Sequence, residues 1–167
     1  MKLVVVRHAK AEERSDFSRI SDDDNLRPLT KEGRDKMVKI SRGLRHLVSQ
    51  VDHLYSSTLV RAVQTAEIIS AEYGGMQFGQ VEHLVPGFSR DETMKWLKNF
   101  EGNQTVMVVG HEPDLSEFIS WMLSGNSSPF VAMKKGGACC VEFMSFIRAR
   151  QAQLLWYMEP SALRRLG

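Results

Sequence analysis

The sequence has no long hydrophobic run, and this limits the classes of protein to which it can belong. The apolar block before Arg7 covers only Leu3 to Val6, which is much shorter than the core of a secretory signal peptide. No window approaches the length of a membrane-spanning helix. We therefore expect a cytoplasmic protein that makes no membrane contact.

Cysteine is scarce, and no charge of one sign dominates. Cys139 and Cys140 are adjacent in an apolar run, where neighbouring strand residues point to opposite faces, so we expect two core thiols rather than a disulfide. The 22 Lys and Arg residues stand against 20 Asp and Glu residues, which gives a net charge of +2. Because this balance offers no large basic surface, no nucleic-acid partner is expected.

The hydrophobic pattern predicts an α/β fold in a single domain, residues 1–167. Short apolar strands alternate with helices, and two further strands indicate a C-terminal hairpin at the sheet edge. The predicted strands are 2–6, 51–55, 77–84, 105–109, 138–146 and 153–158. The predicted helices are 31–49, one that follows capping residues Ser56, Ser57 and Thr58, 90–100, and one that includes 115–122. This order predicts three α/β/α layers around a mostly parallel mixed sheet.

Basic residues follow three of the predicted strands. Arg7 and His8 come directly after the first strand, and His111 follows the strand at 105–109. Arg61 lies in the first turn of the helix that follows the second strand. Because ligands of open α/β sheets bind outside the carboxyl ends of the strands, we expect these four side chains to share one pocket.

Such a pocket suits a tetrahedral phosphate. Arginine offers paired planar donors to phosphate oxygens, and the helix N-termini add backbone N–H groups. A neutral histidine is a nucleophile toward phosphorus, and neighbouring guanidinium groups lower its pKa. We predict that His8 attacks in line, while Arg7, Arg61 and a proton-bearing His111 neutralise the equatorial oxygens.

The predicted chemistry requires no metal and no other cofactor, and none is expected. The acidic row Asp22 to Asp24 is interpreted as a solvated loop rather than a magnesium site. No carboxylate is placed in the pocket by its position alone. Lys10 is a candidate substrate-binding residue from the first loop, and a plain surface role for it stays open.

A resemblance to a known family rests on motifs that run over nearly the whole chain. The motifs are Arg7-His8-Ala9, Ser56-x-x-x-x-Arg61-Ala62-x-x-Thr65-Ala66 and Gly110-His111. They resemble the histidine phosphatase superfamily, which has the phosphoglycerate-mutase-like fold. The narrower resemblance, to SixA-type phosphohistidine phosphatases of bacteria, rests on the small size and on Arg27-Pro28-Leu29-Thr30-x-x-Gly33, Leu84-x-Pro86-Gly87 and His111-Glu112-Pro113.

The resemblance implies a hydrolase that forms a covalent phosphohistidine on His8. Its implied partner is a protein phosphorylated on histidine, such as a phosphocarrier or a phosphorelay domain, and its product is phosphate. Two departures are notable. Ala9 replaces the usual glycine, and the stretch that in larger relatives holds a general acid contains Glu82 and His83, either or neither of which takes that role.

Two alternatives remain beside hydrolysis of phosphohistidine. A small-molecule phosphomonoesterase of the same superfamily has a poor alkoxide leaving group and needs a proton donor, whereas imidazole leaves easily. A catalytically silent phosphate-binding module has no need of the nucleophile His8. A generic nucleotide-binding domain is disfavoured, because no Gly-rich loop follows the first strand.

Overall fold

The computed structural model describes residues 1–100 and 102–167, and a six-stranded sheet forms its centre. In chain order the strands are β1 (Lys2–Arg7), β2 (His53–Ser56), β3 (Phe78–Gln80), β4 (Thr105–Gly110), β5 (Ala138–Phe143) and β6 (Ala152–Met158). Their spatial order is β3-β2-β4-β1-β5-β6. The first four in this order are parallel, whereas β5 is antiparallel to β1, and β6 to β5. The predicted mixed sheet with a hairpin at its edge is confirmed.

Helices cover both faces of the sheet. They are α1 (Arg14–Phe17), α2 (Lys31–Leu47), α3 (Val60–Glu72), α4 (Arg90–Leu97), α5 (Asp114–Ser124) and α6 (Pro160–Leu166). One apolar cluster joins the sheet to α4 and α5, and a second joins it to α2, α3 and α6. The predicted three-layer arrangement is therefore confirmed. Among the described residues, no helix combines the length and the apolar character that crossing a membrane requires.

Strand β1 shows why its sequence is a continuous apolar run rather than an alternating one. Leu3 and Val5 point into the cluster that contains α4 and α5, and Val4 and Val6 point into the opposite cluster. All four side chains are fully buried. A strand that is covered on both faces needs apolar residues at every position, and it forms a fixed base for the residues that follow it.

Helix α6 was not predicted, because its seven residues give too short a pattern to detect. It begins with Pro160 in its first turn and packs on α2 through the buried Leu163. Gly43 of α2 lies at the crossing, where an added Cβ atom would come within 2.1 Å of the Leu163 carbonyl oxygen. The close approach of the two helices therefore depends on this glycine.

Some predicted boundaries and caps were wrong. The expected strand over 77–84 ends at Gln80, and Glu82–Leu84 forms a 3₁₀ turn instead. The expected strand from 138 ends at Phe143 rather than at residue 146. Leu59 is the N-cap residue of α3, and no side chain caps this helix, so Ser57 has another role that is described below.

Candidate active site

The two histidines that follow β1 and β4 lie against each other. These strands are adjacent and parallel, and the backbone N–H of His8 donates to the carbonyl of Gly110 at 3.1 Å. The ring centroids of His8 and His111 are 5.0 Å apart. Both side chains are buried, with 6% and 3% of their surface exposed. The strand register thus brings together two residues that are distant in sequence.

The hydrogen bonding of His8 fixes which ring nitrogen is free. Its Nδ1 lies 2.7 Å from the carbonyl oxygen of Ala9. Because a carbonyl oxygen only accepts, Nδ1 carries the proton, and Nε2 holds the lone pair. Burial, with the charges of Arg61 and Arg7, outweighs the Ala9 hydrogen bond and lowers the pKa of His8 to about 3. His8 is therefore a neutral imidazole with an available Nε2.

His111 is also neutral at pH 7. Burial is the largest cause, and together with the neighbouring His8 and Arg61 it lowers the pKa of His111 to about 2. Its Nε2 lies 2.9 Å from the Ser57 hydroxyl, which also accepts from the N–H of Leu59. When the Ser57 hydroxyl donates to Nε2, the single ring proton of His111 is on Nδ1. His111 then donates from a neutral ring, and no imidazolium is needed.

Each of the two arginines donates a hydrogen bond from one guanidinium nitrogen to a backbone carbonyl. Arg61, in the first turn of α3 and 4% exposed, donates from Nη1 to the backbone carbonyl of Asp24 at 2.9 Å. Arg7, the last residue of β1, donates from Nη1 to the carbonyl of Met133 at 2.6 Å. These backbone acceptors orient the guanidinium groups without neutralising their charge.

Polar atoms on three of the four residues are buried and have no hydrogen-bond partner among the described residues. They are Nε of Arg7, Nε of Arg61 and Nδ1 of His111. Buried donors are nearly always paired, since an unpaired one costs about 1–3 kcal/mol. An oxyanion offers acceptors in several directions, so a bound phosphate suits all three nitrogens.

A carboxylate that the sequence did not place in the pocket lies directly beside Arg61. Asp24 is 3.3 Å from Arg61, and it also accepts from Arg27 at 2.7 Å and from Arg14 at 3.1 Å. Burial by itself would raise the pKa of Asp24, but the hydrogen bonds from Arg27 and Arg14 outweigh it and lower the pKa to about 2. The expected solvated acidic row is thus wrong for Asp24, which is an anchor for three arginines.

A second carboxylate, Glu112, helps to fix the segment that orients Arg7. Glu112 accepts from the hydroxyl of Ser116 at 2.7 Å, and this hydroxyl accepts from the backbone N–H of Met133 at 3.4 Å. The carbonyl of the same Met133 holds Arg7. Burial raises the pKa of Glu112, which is half-buried. The loop that orients Arg7 is therefore fixed through the first turn of α5.

Thr65 connects the nucleophile loop to the helix of Arg61. Its hydroxyl accepts from the backbone N–H of Ala9 at 3.1 Å and donates to the carbonyl of Arg61 at 2.7 Å. Thr65 is fully buried. The motif that suggested a family resemblance contains this threonine, although sequence reasoning assigned it no contact.

The remaining candidate residues are not joined to the pocket by any contact among the described residues. Lys10 forms an ion pair with Glu32 at 2.6 Å, at the start of α2. Glu82 is exposed, and the ring of His83 stacks on Trp96 at a centroid distance of 5.8 Å. Substrate binding by Lys10, and acid catalysis by Glu82 or His83, therefore remain predictions without structural contacts behind them.

Comparisons with known proteins agree with this geometry. The sequence model of the histidine phosphatase superfamily (branch 1) matches residues 3–85. An uncharacterised protein of Picosynechococcus sp. is 31% identical over 139 residues, which is 82% of each chain.

Among solved structures, the protein histidine phosphatase SixA complexed with tungstate aligns with a TM-score of 0.81 at 20% identity, over 98% of this chain and 99% of SixA. Phosphoserine phosphatase from Entamoeba histolytica aligns with a TM-score of 0.71 at 16% identity, over 97% of this chain and 98% of that enzyme. The chain thus belongs to the histidine phosphatase superfamily, a membership that supports phosphatase activity, and has the phosphoglycerate-mutase-like fold of SixA.

Proposed function

We propose that this protein hydrolyses phosphohistidine on a partner protein through a covalent phosphohistidine intermediate at His8. The observation that carries the proposal is the set of unpaired buried nitrogens of Arg7, Arg61 and His111 around a histidine whose Nε2 is free. SixA, whose fold this chain shares, is known with tungstate, a tetrahedral oxyanion. This likeness supports an oxyanion in the same pocket.

The reaction proceeds in two displacements. The lone pair on Nε2 of His8 attacks phosphorus, the bond from phosphorus to the substrate imidazole breaks, and the departing nitrogen takes a proton from solvent. Water then attacks the phosphoryl group, the bond to Nε2 breaks, and phosphate leaves. Arg7 and Arg61 neutralise charge on the equatorial oxygens in both steps, and the neutral His111 donates a hydrogen bond to them.

The leaving group favours phosphohistidine over an alcohol ester. An alkoxide needs a general acid, a contribution of about 10²–10⁴ in rate, whereas imidazole departs without one. Within residues 1–100 and 102–167, no contact places Glu82 or His83 in this role. The pocket residues therefore suit phosphohistidine, whose leaving group departs without a general acid.

A second candidate function is hydrolysis of a small phosphoester, and Glu112 is the observation that favours it. This carboxyl follows His111 directly, and burial raises its pKa, which suits a proton donor. In that case Glu112 protonates the departing alcohol oxygen.

The two functions are separated by matched substrates. We would compare phosphate release from a phosphohistidine peptide and from the same peptide with phosphoserine. The proposal predicts a kcat/KM at least roughly a hundredfold higher for phosphohistidine, since under it no residue donates a proton to the departing ester oxygen. A preference for phosphoserine that Glu112→Gln abolishes would support the second candidate and overturn the first.

A further inference from the structure

The segment 12–27 forms a rim beside the pocket, and we call it the rim segment. Its two ends are tied together, because the N–H of Glu12 donates to the carbonyl of Pro28 and Arg27 donates to the carbonyl of Glu12. Its inner side is fixed by Asp24, which contacts the buried Arg61. The segment therefore lies beside Arg61, at one side of the pocket.

The rim segment exposes two large apolar side chains. Ile20 is 83% exposed and Leu26 is 54% exposed. Leu26 lies between Asp24 and Arg27, the residues that connect the rim to the arginines of the pocket. These side chains are available for contact with a macromolecule that binds over the pocket.

The charge of the rim is opposite to the charge of the pocket. The rim segment has six acidic residues against three basic ones, Arg14, Arg19 and Arg27. Asp24 is engaged with the arginines, and Glu13, Asp16, Asp22 and Asp23 are exposed. A phosphate pocket with buried cations thus has an acidic border on the side of Arg61.

This arrangement distinguishes between two kinds of substrate. A small phosphoester is an anion as a whole, so the acidic border repels it during approach. A phosphoryl group on a basic protein surface is attracted by the pocket, and the surface around it is attracted by the rim. The unpaired Nε of Arg61, buried beside the rim, is the point at which such a phosphoryl group would be received.

We propose that the rim segment is a docking surface for the phosphohistidine protein, and that this partner presents basic and apolar side chains around its phosphohistidine. The inference rests on the proposed function and adds the chemistry by which the partner is recognised. A groove of about 300 Å³ in the rim, lined in part by Arg14, Phe17 and Asp22, offers space for a partner side chain.

The charge preference is tested with two phosphohistidine peptides of equal length, one flanked by Lys and Leu and the other by Glu and Ser. The wild type should hydrolyse the Lys/Leu peptide with a kcat/KM about tenfold higher, since complementary charge raises the rate of association. Asp16→Lys/Asp22→Lys, which leaves Asp24 in place, should remove or reverse this preference. Glu142→Lys, on β5 opposite Lys2 at the end of β1 that is remote from the pocket, should retain it.

The apolar contribution is tested by Ile20→Ser/Leu26→Ser. This variant should lose about tenfold in kcat/KM on the Lys/Leu peptide, which is the loss of about 1.4 kcal/mol of association. Hydrolysis of p-nitrophenyl phosphate should stay within about twofold of the wild type, because neither side chain touches the pocket. Phe146→Ser, a control in the connection between β5 and β6 where the side chain is 62% exposed, should change neither rate.

The outcomes separate the two proposals. Equal rates on both peptides, or a preference for Glu/Ser, would overturn the docking surface while hydrolysis of phosphohistidine stands. Failure of the wild type to hydrolyse either peptide would remove the proposed function, and the docking surface with it.

Discussion

The imidazole rings of His8 and His111 lie with their centroids 5.0 Å apart and their planes inclined at 51°, and each ring lies among guanidinium groups. Two imidazolium ions at this distance would repel each other, and burial disfavours each of them further. Both rings are therefore neutral without a ligand, and the nucleophile is ready at physiological pH.

This neutrality has a consequence for stability against pH. The pKa values of about 3 for His8 and about 2 for His111 lie below the ordinary value near 6.5. Below pH 6.5 the unfolded chain binds protons that the folded chain does not, so the free energy of unfolding falls as the pH is lowered toward 3 and is fully retained above 6.5. Between pH 7 and pH 5 the expected loss is about 2 kcal/mol per histidine.

Urea unfolding at the two pH values checks this prediction. His8→Gln/His111→Gln should have a smaller loss than the wild type, because glutamine does not titrate. An equal loss in the variant would show that the two histidines are not the source.

Asp24→Ala should lower kcat/KM about tenfold or more, because Arg61 and Arg27 lose a shared anchor. Asp24→Asn keeps an acceptor of similar shape and should retain more of the activity. Steady-state kinetics on the phosphohistidine peptide measure both variants. Wild-type rates in Asp24→Ala would mean that the backbone carbonyl alone orients Arg61.

Thr65→Val should destabilise the protein by about 1–3 kcal/mol, because the buried N–H of Ala9 loses its acceptor. Activity should fall as well, since the loop of His8 loses its connection to α3. Thr65→Ser keeps the hydroxyl and should restore both properties. If thermal unfolding and turnover are unchanged in Thr65→Val, the hydrogen bonds of Thr65 contribute neither to stability nor to activity.

Gly43→Ala should destabilise the fold by about 1–3 kcal/mol, since the new methyl group would overlap the carbonyl of Leu163 and push α6 away from α2. Lys39→Ala, an exposed change on the same helix, is the control and should stay within about 0.5 kcal/mol. Equilibrium unfolding in urea gives both values. Equal free energies of unfolding for the two variants would show that α6 moves to make room for the methyl group without destabilising the fold.

The sequence was sufficient for the parts of the site that follow local patterns. His8 and His111 directly follow buried strands, and adjacent parallel strands end at the same edge, so their meeting was predictable. The contact of Asp24 with Arg61 was not, because it depends on how the rim segment folds back over α3. Nothing local distinguishes Asp24 from its neighbours Asp22 and Asp23.

Other omissions have similar causes. Ser57 was expected to cap α3, but its hydroxyl contacts His111 just beyond the carboxyl ends of the adjacent strands β2 and β4. The role of Glu112 depends on Met133, which reaches it through an irregular segment without periodicity. Contacts made through loops are set by tertiary packing, which sequence patterns do not report.

The most direct test of the account is to trap the phosphoenzyme. The wild type would be mixed with a ³²P-labelled phosphohistidine peptide, quenched in alkali and mapped, with His8→Asn as the comparison. We predict an acid-labile, alkali-stable label on His8 in the wild type and none in His8→Asn, which should still bind phosphate. Label on a serine, or turnover that persists in His8→Asn, would contradict the assignment of His8 as the nucleophile.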